Sequence, residues 1–364
     1  MENNDLKKIV GMFDVKGTLD TIAPLGNGLI NDTYKVCTSE PDAPDYVLQR
    51  INHQIFQDVE LLQHNIEAVT RHIREKLSAR GVADLDRRVL RFIPTSEGKT
   101  YAHVGDEYWR LSVFIPRTKT YEAVTPVHAE KAGEKFGEFE AMLVDLPEQL
   151  GEVIPDFHNM ELRLSQLREA VANDAVGRVS GIRDMLAELE ASADDMCLAE
   201  QLGRAGKLKK RICHCDTKVN NMLYDGDGED VLCVIDLDTV MPSYVFSDYG
   251  DFLRTGANFV AEDCPELEKV GFNMEIFKSF TRGYLRSAGT FLEPVETEHL
   301  PYGAALFPFM QCVRFLADYI NGDTYYKINY PEHNLVRAEN QLRLFRSVKA
   351  HEEEMKQFIR ELGF

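Results

Sequence analysis

The kind of secondary structure that the residue pattern predicts changes once along this chain, close to residue 115. Before that point, short segments alternate apolar and polar residues and end at turn-forming residues, as strands do. The predicted strands cover residues 17–23, 33–38, 45–52, 88–94, 99–105 and 108–116. One long stretch that begins at Asp58 instead has its apolar residues at helical spacing, and Asp58 is a suitable N-cap. The first part of the chain is therefore predicted to be an antiparallel sheet with one inserted helix.

After Pro116 most segments have the apolar spacing of an amphipathic helix. The predicted helices cover residues 127–146, 161–174, 182–202, 274–288, 303–321 and 334–364. A sheet-rich lobe followed by a larger helical lobe is an α+β arrangement. We place an N-terminal lobe at residues 1–113 and a C-terminal lobe at residues 114–364, with a hinge at about 113–117. A cleft between two such lobes is where a small ligand is expected to bind.

Charge and composition favour a small-molecule partner and leave the oligomeric state open. The 364 residues carry a formal net charge of −19, which disfavours a nucleic-acid surface because phosphate binding needs clustered Lys and Arg. No apolar stretch is long enough to cross a membrane, and the N-terminal sequence lacks the apolar core of a signal peptide. We therefore expect a cytoplasmic protein whose seven scattered cysteines are reduced thiols.

The stretch "CHCDTKVNN", residues 213–221, contains the residue types that phosphoryl transfer needs. His214, Asp216 and Asn221 have the H-x-D-x-x-x-x-N spacing of a kinase catalytic loop, in which the Asp accepts the substrate proton and the Asn binds Mg²⁺. Lys218 is well placed to reach the transferred phosphate, so Asp216 and Lys218 are the predicted catalytic residues. We expect His214 to hold the loop by hydrogen bonds and not to act as the base.

A second metal ligand is predicted at the end of the next apolar segment. That segment, "VLCVI", ends at Asp236, and the preceding turn "YDGDGED" allows two strands to pair as a hairpin. The hairpin would bring Asn221 and Asp236 to the same end, and two hard oxygen ligands suit Mg²⁺. A zinc site at Cys-His-Cys is disfavoured, because neighbouring side chains of a strand point to opposite faces. A calcium loop in the acidic turn is disfavoured because its glycine is misplaced and no glutamate closes it.

These motifs, together with "DYGDFLRTGAN", "RFLADYINGDTYY" and "YPEHNLVRAENQ", make the chain similar to bacterial N-acetylhexosamine 1-kinases of the aminoglycoside phosphotransferase and choline kinase superfamily. The resemblance extends from about residue 10 to the C-terminus. It implies a protein-kinase-like two-lobe fold, with an antiparallel sheet and a helix in the first lobe and a catalytic hairpin in the larger, mainly helical second lobe. It also implies ATP and Mg²⁺ as cofactors and phosphorylation of the anomeric hydroxyl of GlcNAc or GalNAc.

The resemblance supports the roles of the catalytic-loop residues and adds a set of residues for the sugar. This set is Asp216, Asp238, Arg314 and Tyr325. Asp238 matches the second acid of the family's I-D-L-D-T motif and would lie near the metal or the sugar. Without the resemblance, Arg314 is equally well interpreted as a structural residue of a helix, and Tyr325 as a packed aromatic residue.

In the N-terminal lobe, the nucleotide is expected to contact loop and strand residues. They are Gly26, Asn27, Gly28, Asn31, Thr33, Gln49, Phe114 and Ile115. The first three lie between two strands and would cover the phosphates, although a plain β-turn fits the same residues. Gln49 has the third-strand position where kinases usually have Lys or Arg, and Arg50 beside it is expected to point to the opposite face. The backbone of Phe114 and Ile115 would contact adenine.

Two other functions fit the same residues. The first is phosphorylation of another small alcohol, such as choline, homoserine, methylthioribose or an aminoglycoside. The acidic net charge would suit a cationic acceptor, but a choline site needs an aromatic cage, and the only tryptophan is Trp109. The second is a pseudokinase that binds nucleotide without turnover, which only Gln49 supports.

Overall fold

The computed structural model describes residues 3–26 and 30–364. Its α-helices are α1 (Asn3–Val10), α2 (Val59–Ala79), α3 (Leu85–Arg88), α4 (Pro126–Leu143), α5 (Met160–Asn173), α6 (Arg183–Met196), α7 (Leu198–Arg204), α8 (Phe246–Gly256), α9 (Met274–Ala288), α10 (Pro294–Glu298), α11 (Leu300–Ile320), α12 (His333–Ala350) and α13 (Glu352–Leu362). Its strands are β1 (Leu19–Pro24), β2 (Asp32–Thr38), β3 (Tyr46–Ile51), β4 (Tyr101–Val104), β5 (Glu107–Val113), β6 (Thr118–Lys119), β7 (Arg211–Cys213), β8 (Met222–Asp225), β9 (Val231–Val234) and β10 (Met241–Ser243).

The chain forms two compact units, each assembled from separate stretches of sequence. Unit 1 contains the chain up to Thr120, Asp145–Pro155 and Met222–Met241. Unit 2 contains Tyr121–Val144, Asp156–Asn221 and Pro242–Phe364. The hinge proposed at residues 113–117 remains a prediction.

Unit 1 is built on a five-stranded antiparallel sheet with the strand order β1–β2–β3–β5–β4. The sheet and the helix inserted between β3 and β4 confirm the sequence prediction. The Asp58 carboxylate caps this helix, α2, by accepting the Leu61 N–H at 2.9 Å. The register places Gln49 of β3 opposite Thr33 of β2 and opposite Arg110 of β5. Trp109, the neighbour of Arg110, is buried on the other face of the sheet. Three polar side chains of adjacent strands therefore share one face.

The strand predicted over residues 88–94 is wrong for most of its length. Residues 85–88 form the one-turn helix α3, and only Phe92 makes a bridge, to Ser112. The segment 88–94 does not pair along its whole length because β4 already occupies residues 107–110 of β5, the strand beside it. Only the end of β5 is left, and the segment reaches it through the hydrogen bond from Ile93 N–H to the Leu111 carbonyl at 2.8 Å.

A second, three-stranded sheet in unit 1 contains the hairpin that the sequence predicted. Strands β8 and β9 pair in antiparallel fashion, with Met222 opposite Val234, and β6 adds to the edge of β8. All four residues of β9 are buried, which explains why the segment is apolar throughout. The hairpin ends two residues before Asp236.

Unit 2 is mainly helical, and its helices α4 and α9 approach each other closely at glycines. A Cβ atom on Gly283 would lie 1.9 Å from the Glu130 carbonyl oxygen, and one on Gly133 would lie 2.1 Å from that of Phe280. Larger residues at these positions would force the helices apart. Phe136 and Phe139 of α4 contact His214, so this close packing supports the loop in which His214 lies.

Two predicted helices are interrupted where the apolar spacing gave no sign of a break. The helix predicted over residues 182–202 stops at Met196, because Cys197 has φ −89° and ψ 13° and α7 then begins. The helix predicted from residue 334 likewise breaks at His351, where φ is −102° and ψ is 6°. In the sequence the apolar spacing continues through both breaks, which is why the periodicity did not reveal them. Within the described ranges, no helix combines the length and apolar character that crossing a membrane requires.

Candidate active site

The segment 213–221, which we call the catalytic loop, is held in unit 2 by one buried carboxylate. The two oxygens of Asp248, at the start of α8, accept the backbone N–H groups of His214 and Cys215, each at 2.7 Å. The Thr217 hydroxyl donates to the Asp248 carbonyl, also at 2.7 Å. Cys215 has φ +63°, an uncommon conformation for a residue other than glycine. The Asp248 carboxylate thus stabilises a strained backbone next to Asp216.

His214 has the structural role that the sequence predicted. Its side chain is fully buried, and its Nδ1 accepts the Asp216 backbone N–H at 3.2 Å. The imidazole packs edge-on against Phe136 and Phe139 of α4. The ring therefore positions the backbone of Asp216.

Asp216, Lys218 and Asn221 come together at the end of the catalytic loop. The Lys218 Nζ lies 2.9 Å from Oδ1 and 3.0 Å from Oδ2 of Asp216. The Asn221 Nδ2 donates to the Asp216 carbonyl at 2.7 Å and to its Oδ2 at 3.1 Å. Both amide hydrogens of Asn221 are thus directed at Asp216, and the amide oxygen is the atom that can bind a metal. The Asp216 side chain is partly accessible, at 21%, as a proton acceptor for a bound substrate must be.

A second acid, Glu140 of α4, lies buried behind the catalytic loop. A Glu140 oxygen, an Asp248 oxygen and the Cys213 Sγ all lie within 4.8 Å of one another, and Glu140 and Asp248 are hydrogen-bonded through their side chains. The Tyr284 hydroxyl donates to Glu140 Oε2 at 2.6 Å. Burial, followed by the charge of Asp248, raises the pKa of Glu140 well above its usual range. Burial raises the pKa of Asp248 as well, while the neighbouring His214 and the loop N–H groups oppose that shift. Because the pKa of Glu140 is raised well above its usual range, we infer that Glu140 holds the proton of this pair and donates it to Asp248.

Two of the four residues predicted to bind the sugar lie near each other in unit 2, one in α11 and one in the loop that follows it. The Arg314 guanidinium faces the rings of Phe157 and Tyr326, at 5.6 and 5.7 Å from the centroids. Tyr325 packs edge-on against Tyr326 at 4.8 Å, and 66% of its surface is exposed. Arg314 also donates to Gln311, one turn earlier in α11, at 3.1 Å. It therefore both stacks on aromatic rings and bonds within its own helix, whereas Tyr325 is not a core residue. Their contact with a sugar remains a prediction.

A largely buried group of charged residues in unit 2 lies near the catalytic loop. Arg254 donates to Asp251 at 3.2 Å and to Glu262 at 2.5 Å. Burial raises the pKa of Asp251, Arg254 opposes that shift, and the Asp216 carboxylate adds to it. Burial works against ionisation of Glu262, but Arg254 outweighs it and, with smaller effects of Arg337 and Lys218, lowers the pKa. Asp216 and Lys218 thus lie within electrostatic range of this group.

In unit 1 some of the predicted nucleotide-binding residues belong to a partly buried polar network on one face of the sheet. The Gln49 amide donates to the Thr33 hydroxyl at 3.3 Å and accepts from the Arg110 Nε at 3.0 Å. The Arg110 Nη1 lies 2.5 Å from Asp238 Oδ1, with both side chains at most 4% exposed. The Asn31 amide donates to Asp238 Oδ2 at 2.6 Å. A fixed cation therefore lies on β5, beside the third-strand position that Gln49 occupies.

This network changes the interpretation of three sequence expectations. Asp238 is paired with Arg110, and Asn31 also accepts the Asn52 backbone N–H at 3.0 Å, so both side chains serve first to order unit 1. Gln49 binds Arg110 and Thr33, and the Glu67 carboxylate on α2 accepts a hydrogen bond from Thr100. Arg50 points away as strand alternation predicts, and its Nε donates to Asp32 at 2.8 Å.

The remaining predicted positions are described only in part. Gly26 has φ +70°, which only glycine adopts without strain, whereas Asn27 and Gly28 lie outside the described residues. The Phe114 N–H donates to the Asp45 carbonyl at 2.8 Å, so an adenine contact there would need the Phe114 carbonyl or the Ile115 backbone. Asp236 follows β9 with φ +60°, the kind of strained backbone that clusters at functional sites.

Sequence reasoning did not assign a role to Arg110, Asp248 or Glu140. Arg110 becomes visible only once the strand register is known, because the β3 residue it supports is 61 positions away. Asp248 lies in the quoted motif "DYGDFLRTGAN". The two acids of that motif, placed among apolar residues of a predicted helix, could have indicated buried carboxylates with a role in the site. The other glutamates of α4 are half-buried, and nothing in the spacing distinguishes Glu140 from them.

The fold and the site together define a phosphotransferase. The family model described as the phosphotransferase enzyme family matches residues 21–282. The chain belongs to this family, so its class of chemistry is phosphoryl transfer.

Solved structures confirm the predicted fold. An aminoglycoside phosphotransferase from Alicyclobacillus acidocaldarius is 13% identical, covers 98% of this chain and 96% of its own, and superposes with a TM-score of 0.63. Spectinomycin phosphotransferase in complex with ADP and spectinomycin is 14% identical, with coverage of 97% and 99% and a TM-score of 0.60. A choline/ethanolamine kinase family protein from Mesorhizobium loti is 17% identical, with coverage of 99% and 97% and a TM-score of 0.54. The chain therefore has the α+β, protein-kinase-like fold of these enzymes, with an N-terminal antiparallel sheet and a larger helical part.

Proposed function

We propose that this protein is an ATP- and Mg²⁺-dependent kinase that phosphorylates the anomeric hydroxyl of an N-acetylhexosamine, GlcNAc or GalNAc. The observation that carries the kinase part is the catalytic loop, in which Asp216 is held by the buried His214 and Asp248 and is bonded to Lys218 and Asn221. A carboxylate that is fixed in place and accessible is what abstraction of a hydroxyl proton requires.

In the proposed reaction, Asp216 accepts the proton of the anomeric hydroxyl while that oxygen attacks the γ-phosphorus and the bond to ADP breaks. Lys218, which contacts both oxygens of Asp216, then stabilises the charge on the transferred phosphoryl group. Positioned cations of this kind account for much of the catalysis in phosphoryl transfer. Asn221 orients the Asp216 carboxylate through its amide hydrogens.

The residues present fit both cofactors. Asn221 would present its amide oxygen and Asp236 its carboxylate to Mg²⁺, which prefers hard oxygen ligands. When bound, the ion would neutralise the phosphate oxygens. For ATP we propose the Gly26–Gly28 stretch, Thr33 and Gln49, with the Phe114–Ile115 backbone at the adenine. The buried Arg110 beside Gln49 supplies the cation that the third strand lacks.

The choice of a neutral sugar rests on the resemblance and on the charge of the acceptor region. Burial and then the neighbouring Arg314 lower the pKa of Arg163 to about 10. Burial lowers the pKa of His158 as well, with Arg314 and Arg163 acting in the same direction. A positive local potential disfavours a cationic acceptor, whereas hydroxyl and acetamido oxygens can accept hydrogen bonds from guanidinium groups. We therefore rank an N-acetylhexosamine above choline, homoserine or an aminoglycoside.

The test measures ATP- and Mg²⁺-dependent turnover of GlcNAc, GalNAc, glucosamine, choline, homoserine and kanamycin, with the phosphate position determined by NMR. We expect a hexosamine 1-phosphate, and poor turnover of the protonated amine glucosamine. Asp216→Asn should lower kcat by about 10²- to 10⁴-fold and shift Tm little, because the lost ion pair involves a half-exposed Lys218.

Each alternative has its own signature in that experiment. Turnover of an amine-bearing acceptor alone would refute the sugar assignment and retain the kinase. Stabilisation by nucleotide without any ATP consumption would identify a pseudokinase. Asp216, Asn221 and Asp236 weigh against the last outcome.

A further inference from the structure

The loop that connects α11 with α12 presents Tyr325, the more exposed of the two proposed acceptor residues. It begins with two residues in the left-handed region, Gly322 at φ +89° and Asp323 at φ +61°. For a residue other than glycine such a backbone is strained, and it persists only where surrounding contacts hold it. The loop therefore needs an anchor.

The anchor is the carboxylate of Asp318, in the last turn of α11. Its Oδ1 accepts the backbone N–H of Thr324 at 2.9 Å and that of Tyr325 at 2.8 Å. Its Oδ2 accepts the N–H of Tyr326 at 3.0 Å and the amide of the fully buried Asn334 at 2.8 Å. One side chain thus binds three consecutive N–H groups of the loop.

The position of this acid is unfavourable for the helix that contains it. The C-terminal end of a helix has a partial negative charge, so a carboxylate in the last turn is destabilising there. Asp318 is nevertheless only 5% exposed, and burial of a carboxylate is costly unless it is well hydrogen-bonded. The loop N–H groups supply those bonds, so the residue is explained by the loop and not by the helix.

The loop in turn supports the acceptor region. Tyr326 packs against Phe315 at 4.8 Å and lies under the Arg314 guanidinium, and Tyr325 packs edge-on against Tyr326. Asp323 is held by Arg178 at 2.6 Å and by Asn334 at 2.9 Å, so the Asn334 amide bridges the Asp318 and Asp323 carboxylates. A shift of the Asp318 carboxylate would therefore move Tyr325 and Tyr326 together relative to Arg314.

We propose that Asp318 is a positioning residue for acceptor binding, which acts by holding the backbone of residues 324–326 so that Tyr325 and Tyr326 face the acceptor. This inference rests on the proposed function, because it assigns the region around Arg314 to the acceptor. It concerns binding of the acceptor only, and neither ATP binding nor the chemical step should depend on Asp318.

The test compares Asp318→Asn with Thr281→Val, a control that removes the buried 2.7 Å hydrogen bond from Tyr249 to Thr281 elsewhere in unit 2. For Asp318→Asn we expect the KM for GlcNAc to rise about tenfold or more, with kcat and the KM for ATP within roughly threefold of wild type. The control should lower Tm without changing the KM for GlcNAc.

A double-mutant cycle with Tyr325→Ala tests whether Asp318 acts through the loop. If it does, the KM for GlcNAc of the double variant should stay within about twofold of that of Tyr325→Ala. Hydrogen exchange of the peptide that covers residues 322–330 should be faster in Asp318→Asn and unchanged in Thr281→Val. If Asp318→Asn does not fold, Asn334→Ala, which removes a donor from the same carboxylate, should raise the acceptor KM in the same direction.

The possible results separate the two proposals. An unchanged KM for GlcNAc in Asp318→Asn, or parallel losses for both substrates in Asp318→Asn and the control, would overturn the positioning role while the kinase assignment stands. The positioning role would also be overturned if the effects of Asp318→Asn and Tyr325→Ala on the KM for GlcNAc were independent, so that the double variant showed the product of the two single increases. No turnover of GlcNAc or GalNAc by the wild-type protein would refute the proposed function itself, and the acceptor role of Asp318 with it.

Discussion

The buried acid Glu140 makes a stability prediction whose sign can be worked out from the structure. Glu140 is 2% exposed, accepts from Tyr284 and donates its proton to Asp248. Glu140→Gln retains the volume, one acceptor for Tyr284 and an N–H donor for Asp248. We therefore expect it to lower the free energy of unfolding by less than about 1 kcal/mol at pH 5. Glu140→Leu, which leaves both partners without their hydrogen bond, should cost about 2–5 kcal/mol.

The pH dependence distinguishes a protonated Glu140 from an ionised one. In the unfolded chain Glu140 loses its proton near its ordinary pKa of 4.5, whereas in the folded protein the pKa is raised well above that value. Above about pH 5 the folded state therefore binds one proton more than the unfolded state. Wild-type stability should fall relative to Glu140→Gln by about 1.4 kcal/mol per pH unit, up to the pKa of the folded protein.

The assay is urea denaturation followed by far-ultraviolet circular dichroism at pH 5, 6, 7 and 8, for the wild type and both variants. Groups that the proteins share cancel in the difference between the wild type and Glu140→Gln. A difference that does not change between pH 5 and pH 8, together with a cost of Glu140→Gln similar to that of Glu140→Leu, would show that the folded protein holds Glu140 ionised. The shared-proton explanation for the catalytic loop would then be wrong.

Two further substitutions test the packing of unit 2 and the nucleotide side of unit 1. Gly283→Ala should destabilise the protein by about 3 kcal/mol or more, because its Cβ would lie 1.9 Å from the Glu130 carbonyl oxygen. The control Gly181→Ala, whose Cβ would meet nothing within 4 Å, should change the free energy of unfolding by less than about 0.5 kcal/mol. If thermal denaturation shows equal effects for the two variants, the close packing of α4 and α9 is contradicted. Arg110→Lys cannot keep both the Asp238 and the Gln49 contact, so the KM for ATP should rise about tenfold or more while the KM for the acceptor is unchanged. Steady-state kinetics measure both constants, and a rise in the acceptor constant alone would contradict the ATP role of Arg110.

Local patterns were sufficient to predict most of the elements and the catalytic loop. Asp58 was recognised as an N-cap and accepts the Leu61 N–H, and His214 was expected to support the loop and bonds the Asp216 N–H. These features depend on neighbours within a few residues, which a sequence displays directly. The predicted strand at 88–94 was wrong because β4 competes for the same strand, and competition between distant segments is not visible in either of them.

The parts of the site that the sequence did not predict are those in which a charge acts on residues far away in the chain. Arg110, Gln49 and Asp238 form one network, although Gln49 and Arg110 are 61 positions apart. The missing third-strand cation suggested a pseudokinase only while Gln49 was considered alone. Because antiparallel pairing places residues from β3 and β5 side by side, a cation can come from the neighbouring strand and occupy the same face of the sheet. Under the proposed function, this chain therefore preserves the position of a charge on the sheet face and not its position in the motif.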